Sequence, residues 1–232
     1  TVTIVDAISD DDFDGVADQT VSVSTTDDDV AGFTVAETEG STGVDESGTT
    51  DTITVVLNAQ PTSDVVIAIS SSDTGETAVN GSTVNNNSLT FTSANWDTAQ
   101  SFTVTGVDDD LVDGTVESTL TISVVDALSD NGFDGVADQT VTASTTDDDV
   151  AGFTIVELEG STEVDESGDT DTFTVVLDAQ PTSDVVITIV SSDTGEATVT
   201  STLTFTPANW DTPQIATITG VDDDIIDGSQ TS

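Results

Sequence analysis

Carboxylates are the only charged side chains in this sequence: 46 Asp and Glu stand against no Lys, Arg or His, for a formal charge of −46. They gather in short runs, among them Asp27-Asp28-Asp29, Asp108-Asp109-Asp110, Asp147-Asp148-Asp149 and Asp222-Asp223-Asp224, at the ends of apolar, β-branched stretches. With no basic side chain to pair with, such runs need countercharge from solution. Two like charges roughly 4 Å apart cost about 4 kcal/mol at an effective dielectric near 20. Ca²⁺, which takes roughly six to eight oxygens from carboxylates, carbonyls and water, converts that repulsion into shared coordination, whereas Mg²⁺ prefers to keep its water. Adaptation to high salt would explain the net charge but not the clustering.

The same inventory excludes other chemistry. There is no Cys, so disulfides and thiolate sites are ruled out, and without His the zinc and copper sites go too. The usual nucleophile–base pairs and oxyanion stabilisers cannot be built. A carboxylate pair could hydrolyse a glycoside, but these acids recur repeat-wide with no cleft signature, so the chain reads as a non-enzyme. Nothing could neutralise a phosphate, which excludes nucleic acid as a partner. No apolar run reaches membrane-spanning length, no signal-peptide pattern opens the chain, and membrane insertion is not expected.

Self-comparison organises the rest. Phe13-Asp-Gly-Val-Ala-Asp-Gln-Thr-Val returns at Phe133, Asp27-Asp-Asp-Val-Ala-Gly-Phe-Thr at Asp147 and Gln60-Pro-Thr-Ser-Asp-Val-Val-Ile at Gln180, each shifted by 120 residues. Leu89-Thr-Phe-Thr returns at Leu203 and Gly106-Val-Asp-Asp-Asp at Gly220, shifted by 114, so the first copy carries a six-residue insertion within 80–88. The insertion holds two glycosylation-type sequons, at Asn80 and Asn86, in an Asn/Ser-rich loop where chance also produces them. One complete repeat spans 30–149. Residues 1–29 match the last two strands of a preceding repeat, and 150–232 form a repeat lacking those two strands. Together with the absence of Met, this pattern points to a portion of a longer array, or to copies in which 1–29 of one completes 150–232 of the next, head to tail.

Within a repeat, apolar residues alternate with Thr, Ser or Asp, as at Ile53/Val55/Leu57, Val65/Ile67/Ile69 and Leu120/Ile122/Val124. That period predicts half-buried strands, near 31–37, 52–58, 64–71, 89–92, 100–107, 116–126 and 139–146. Seven antiparallel strands in a unit of this size predict an all-β fold of tandem immunoglobulin-like sandwiches. Trp96 and Trp210, in the turn before the fifth strand, read as amphipathic plugs over one end of the core. With strands alternating in direction, one pole collects Glu37, Glu39, Asp45 and Glu46; Asp73 and Glu76; Asp108, Asp109, Asp110 and Asp113; and Asp147, Asp148 and Asp149. The final triplet is also the linker to the next repeat.

These stretches resemble the Calx-β module of sodium/calcium exchangers and of tandem arrays in large bacterial surface proteins. Asp147-Asp-Asp-Val-Ala-Gly-Phe-Thr, and Asp27 onward, is similar to the linker between successive modules, and Gly106-Val-Asp-Asp-Asp-Leu-Val-Asp-Gly resembles the family's E–F loop. Val44-Asp-Glu-Ser-Gly and Leu89-Thr-Phe-Thr fit weaker parts of the pattern. The resemblance implies several Ca²⁺ per repeat. In the complete repeat the ligands would be Glu37 (or Glu39), Asp73, Asp108, Asp109, Asp113, Asp147, Asp148 and Asp149. In the next they would be Glu157, Asp193, Asp222, Asp223 and Asp227, with Asp27, Asp28 and Asp29 of a following copy closing the set. The family's usual Asp-Tyr before the fourth strand is missing, since the chain has no Tyr.

A separate signal lies between the last two strands. Asp10, Asp12, Asp14 and Asp18 surround Gly15 with the alternating-acid spacing of a compact calcium loop. The second copy keeps Asp130, Asp134 and Asp138 but has Gly132 in the middle position. The functional expectation is a Ca²⁺-stiffened, extracellular or cell-surface structural repeat in a filament, adhesin shaft or stalk. Extracellular calcium modules work at roughly 10⁻⁴ to 10⁻³ M. The alternatives are a Ca²⁺-sensing regulatory domain of a larger protein and, less well supported without an aromatic platform, a ligand-binding module.

Overall fold

A computed structural model describes residues 1–81, 87–226 and 228–231, divided into two compact units, Thr1–Val30 and Ala31–Ser232. Apart from short 3₁₀ turns, all regular structure in the described residues is β. No described helix is long and apolar enough to cross a membrane.

The second unit opens with a complete immunoglobulin-like sandwich. One sheet has the order β1-β3-β7-β5, from Phe33–Glu37, Thr50–Leu57, Gln100–Gly106 and Thr77–Gly81. The other runs β2-β9-β8-β4-β6, from Thr42–Asp45, Gln139–Thr146, Val116–Val124, Val65–Ser71 and Ser88–Phe91. Alternate residues face inward, so Ile53, Val55, Phe102 and Val104 of the first sheet meet Val65, Ile67, Leu120 and Ile122 of the second, all fully buried. Trp96 packs partly buried against this core while its carbonyl accepts from Leu57 N at 3.1 Å.

There are nine strands here where the alternation predicts seven. β1 ends at Glu37, but the chain does not leave the sandwich there. It switches sheets through a 3₁₀ turn, Thr38–Gly40, where Glu39 (φ 60°) and Gly40 (φ 86°) are left-handed, and continues as β2. β2 pairs with β9, in parallel, a partner about a hundred residues away that leaves no hairpin signal nearby. The other addition, β5, pairs with β7 and runs into the insertion. Asn80 is exposed on β5, whereas Asn86 falls outside the described residues.

The second sandwich repeats part of this plan. β10 (Phe153–Glu157), β11 (Thr170–Leu177), β15 (Gln214–Gly220) and β13 (Ala197–Val199) form one sheet in the order β10-β11-β15-β13. The facing sheet holds only β12 (Val185–Thr188) and β14 (Thr202–Phe205). Residues 162–165, the match of β2, form no strand. Among the described residues of this sandwich nothing corresponds to β9, against which β2 pairs. One core pair differs between the sandwiches: Ile53 faces Phe102 across β3 and β7, while Phe173 faces Ala216 across β11 and β15.

The unit Thr1–Val30 holds an isolated antiparallel bridge, Val2 to Gln19, and 3₁₀ turns at Asp6–Ile8 and Asp11–Phe13. The matching residues of the complete sandwich show the same pairing, Ile122 with Gln139, and the same turns at Asp126–Leu128 and Asn131–Phe133. A lone strand pair without a third neighbour is marginal, and no extended strand forms within this unit.

Candidate metal centre

The acidic pole is assembled by main-chain contacts before any carboxylate is considered. A Cβ on Gly106, at the end of β7, would lie 1.9 Å from the Asp45 carbonyl oxygen, so only glycine lets the Val107-Asp-Asp-Asp loop start against the β2–β3 turn. Gly106 N donates to Thr49 O at 3.1 Å, and Val107 N to Glu76 O at 2.9 Å. Glu46 N donates to Thr146 O at 3.1 Å, which ties the β2–β3 turn to the end of β9. Thr145 Oγ1 donates to Glu76 O at 3.3 Å and meets Thr77 Oγ1 at 3.0 Å in the interior.

On this frame the carboxylate oxygens converge in two groups, Glu46 with Asp147 and Asp149, and Glu46 with Glu76 and Asp109, the ligating atoms in each lying within 4.8 Å of one another. Glu46 belongs to both and is only 1% exposed. Glu46 Oε2, Glu76 Oε2 and Asp149 Oδ2 are buried without a hydrogen-bond partner. Like charges at roughly 5 Å cost about 3 kcal/mol each at an effective dielectric near 20.

Protonation reflects that crowding. Burial, with Asp109, Asp147 and Glu76 adding to it, pushes the Glu46 carboxyl up to about 7, despite a hydrogen bond from the Asp148 amide. Glu76 is raised by burial and then by Asp113, Asp109, Asp73 and Asp147. Burial followed by neighbouring aspartates raises Asp113 and Asp149 as well. Asp147 goes the other way, because amides hold its charged form: Gly114 N at 2.7 Å and Asp113 N at 2.9 Å on Oδ2, and Asp149 N at 2.7 Å on Oδ1. An all-oxygen, anionic set with orphaned buried lone pairs fits a hard divalent cation.

The sequence-derived candidates distribute unevenly over this geometry. Asp109, Asp147 and Asp149 lie in the two groups, and Asp73, Asp108, Asp113 and Asp148 are close enough to perturb them electrostatically. Glu37 is in neither group: it accepts from Thr42 Oγ1 at 3.1 Å and sits opposite Ile53, three residues along β3 from its pole end, or about 10 Å at the usual strand rise. Glu39 is exposed in the sheet-switching turn. Glu46 and Glu76, placed at the pole by strand alternation but absent from the ligand set implied by resemblance, occupy its centre. Their signal was position: Glu46 directly follows β2, whose Val44 packs inward, and Glu76 closes a turn directly before the buried Thr77 of β5.

In the second sandwich the scaffold recurs. A Cβ on Gly220 would lie 1.9 Å from Asp165 O, and Val221 N donates to Glu196 O at 2.9 Å. Asp193 Oδ1 accepts from Gly195 N, and Asp223 Oδ1 from Ile225 N. Glu157 and Asp222 are exposed, and Asp227 lies outside the described residues. Among the described residues this pole gathers no group of three carboxylates. Asp27 shapes its own triplet through Asp29 N at 3.1 Å, with Asp28 exposed.

The two alternating-acid loops contribute to neither group. Asp10 accepts from Asp12 N at 3.0 Å, and Asp12, Asp14 and Asp18 are exposed. Asp130 is a structural clamp: Oδ2 accepts from Thr62 N (2.6 Å), Thr62 Oγ1 (2.6 Å) and Ser63 N (2.8 Å), and Oδ1 from Gly132 N (2.8 Å). Those donors hold its carboxyl far below the ordinary value. Asp134 and Asp138 are exposed.

No protein-family model and no curated protein matches this sequence. Among solved structures, the apo-form Calx CBD1 domain is 17% identical over 50% of this chain and 98% of its own, with a TM-score of 0.35. The calcium binding domain CBD12 of CALX1.1 is 17% identical over 82% and 76%, with a TM-score of 0.33. Domains 5-6 of the S-layer protein SbsC are 15% identical over 81% and 83%, with a TM-score of 0.32.

Proposed function

We propose that the chain is a calcium-loaded structural repeat of an extracellular array, in which cations held at the acidic pole of each sandwich stiffen its junction with the next. The observation that carries the reading is Glu46: a buried carboxylate with an orphaned oxygen, common to two carboxylate groups, in a chain without one basic side chain. Glu46, Glu76, Asp109, Asp147 and Asp149 would hold the metal, with Asp73, Asp108, Asp113 and Asp148 around them. The metal would supply the positive charge that makes the pole cohere.

The junction itself supports the structural role. Asp110 O accepts from Gln180 N at 2.7 Å and Leu111 bridges Gln180 in parallel, so the loop that carries Asp109 also touches the β11–β12 turn of the second sandwich. Ordering that loop with a cation therefore orders the contact between sandwiches. Binding that favours the folded state stabilises it by RT ln(1 + [L]/Kd).

The test is a Ca²⁺ titration of the whole chain, following heat, melting temperature and small-angle scattering together. Saturation in the range of roughly 10⁻⁴ to 10⁻³ M, with rising melting temperature and a monotonic gain in rigidity, supports the structural repeat. A sharp bend at micromolar Ca²⁺ would instead indicate a regulatory sensor, and no uptake would remove the calcium reading altogether.

A further inference from the structure

Inside the complete sandwich an early strand and the last one run side by side in the same direction. β2 and β9 pair in parallel, from Thr42 with Ala143 to Asp45 with Thr146. At the pole end Glu46 N donates to Thr146 O at 3.1 Å, and Thr146 Oγ1 donates to Val44 O at 3.3 Å. Gly43 N and Asp45 N turn away from β9, to Asp51 Oδ2 at 3.0 Å and Thr49 Oγ1 at 2.8 Å. β9 is anchored in turn to the facing sheet, where Thr145 Oγ1 meets Thr77 Oγ1 of β5.

The chain enters and leaves this sandwich at opposite ends. Phe33 lies at the foot, opposite Leu57 at the end of β3 away from the pole, and its carbonyl accepts from Gln139 Nε2 at the start of β9 at 2.6 Å. Asp147, Asp148 and Asp149 leave β9 at the pole. Tension along the chain therefore draws β2 toward the foot and β9 toward the pole. Parallel strands pulled in opposite senses slide along one another, and all rungs of the ladder bear the load together. Strands drawn apart sideways lose their rungs one at a time. β1, paired with β3 over Phe33–Glu37, meets the load first, and the Thr38–Gly40 turn passes it on to β2. We infer that β2 and β9 form a mechanical clamp that lets the sandwich carry tension.

The acidic pole sits where it can reinforce that clamp. Glu46 is the first residue after β2, and Asp147 and Asp149 follow β9 directly, with one oxygen from each of the three within 4.8 Å of the others. A cation held by these carboxylates joins the ends of both strands, so sliding has to break coordination as well as hydrogen bonds. This staple rests on the calcium reading proposed above, whereas the clamp rests on strand direction alone. Forced unfolding is governed by the rate of barrier crossing and not by equilibrium stability. Resistance to tension is therefore a property beyond the gain in melting temperature expected from bound metal.

The chain lacks Cys, so pairs of introduced cysteines choose the direction of pull in single-molecule force measurements on the full-length chain. Handles on Val30→Cys and Val150→Cys load β2 against β9 lengthwise. Handles on Ser41→Cys and Thr119→Cys load the same ladder sideways: Thr119 lies opposite Thr142 of β9, and Ser41 one step before the rung from Thr42 to Ala143. All four replaced residues are exposed. At one loading rate without Ca²⁺, the lengthwise rupture force should be at least twice the sideways force. Saturating Ca²⁺ should raise the lengthwise force by at least half and leave the sideways force nearly unchanged. Equal forces in the two directions, or a larger sideways force, overturn the clamp. A twofold ratio with no response to Ca²⁺ upholds the clamp and removes the calcium reading instead, so the two failures are told apart.

Discussion

Gly106 and Asp45 touch backbone to backbone: a Cβ on Gly106 would lie 1.9 Å from the Asp45 carbonyl oxygen, and Gly220 repeats the relationship with Asp165. The contact draws the Asp109 loop over the Glu46 turn, so packing and ion binding meet at one point. Gly106→Ala should therefore destabilise the calcium-free chain by about 3 kcal/mol, as overpacking against rigid backbone does, and weaken Ca²⁺ uptake. Calorimetry and thermal melts check both, and a variant that melts and binds like wild type would show that the close approach is dispensable.

Glu46→Gln should act with opposite signs on two measurements. Replacing a buried carboxyl that is raised to about 7 removes a charge that the fold has to desolvate. The calcium-free chain should therefore melt a few degrees higher at pH 8. Ca²⁺ affinity should fall at least tenfold, because the residue shared by both groups loses its charge. Lower stability together with unchanged affinity would place Glu46 outside the site.

The pH dependence follows from the direction of each shift. Glu46 holds its proton up to about 7 when folded, against 4.5 ordinarily, and Glu76, Asp113 and Asp149 are raised in the same sense. Between those limits the folded state binds more protons than the unfolded one, so calcium-free stability should fall as pH rises from about 4.5 to 7. Asp130, Asp147 and Asp45 are lowered, and their contribution is lost only as pH drops below the ordinary 3.8. Melting curves without Ca²⁺ should peak near pH 4 to 5, and saturating Ca²⁺ should move the maximum toward neutrality.

Asp130→Ala separates clamp from ligand. Four hydrogen bonds, from Thr62, Ser63 and Gly132, disappear with the carboxylate. The melting temperature should drop by several degrees while Ca²⁺ stoichiometry stays the same. Loss of one bound ion would instead return the loop containing Asp130, Asp134 and Asp138 to the calcium sites.

Much of this fold was legible because burial imposes a period of two, and β3, β4, β7, β8 and β9 carry it plainly. β2 was not, since Thr42-Gly-Val-Asp owes its strand to a parallel partner far along the chain. That omission governed the site as well. Without β2, strand alternation sets Glu37 at the pole, whereas the sheet switch carries the chain further and delivers Glu46. The aspartate triplets were visible as runs, but which oxygens lack partners depends on main-chain contacts such as Val107 to Glu76, and these have no local signature.

The exchange of Ile53 and Phe102 for Phe173 and Ala216 bears on how near-identical neighbours fold without entangling. A β3 strand captured by β15 would set Ile53 against Ala216 and leave a void, and β11 captured by β7 would force Phe173 onto Phe102. Both hybrids carry a packing penalty that neither native sandwich has. The paired change between adjoining repeats, Ile53 to Phe173 on one strand and Phe102 to Ala216 on its partner, thus works as a folding password, steering each strand back to its own sandwich in a chain otherwise prone to swapping.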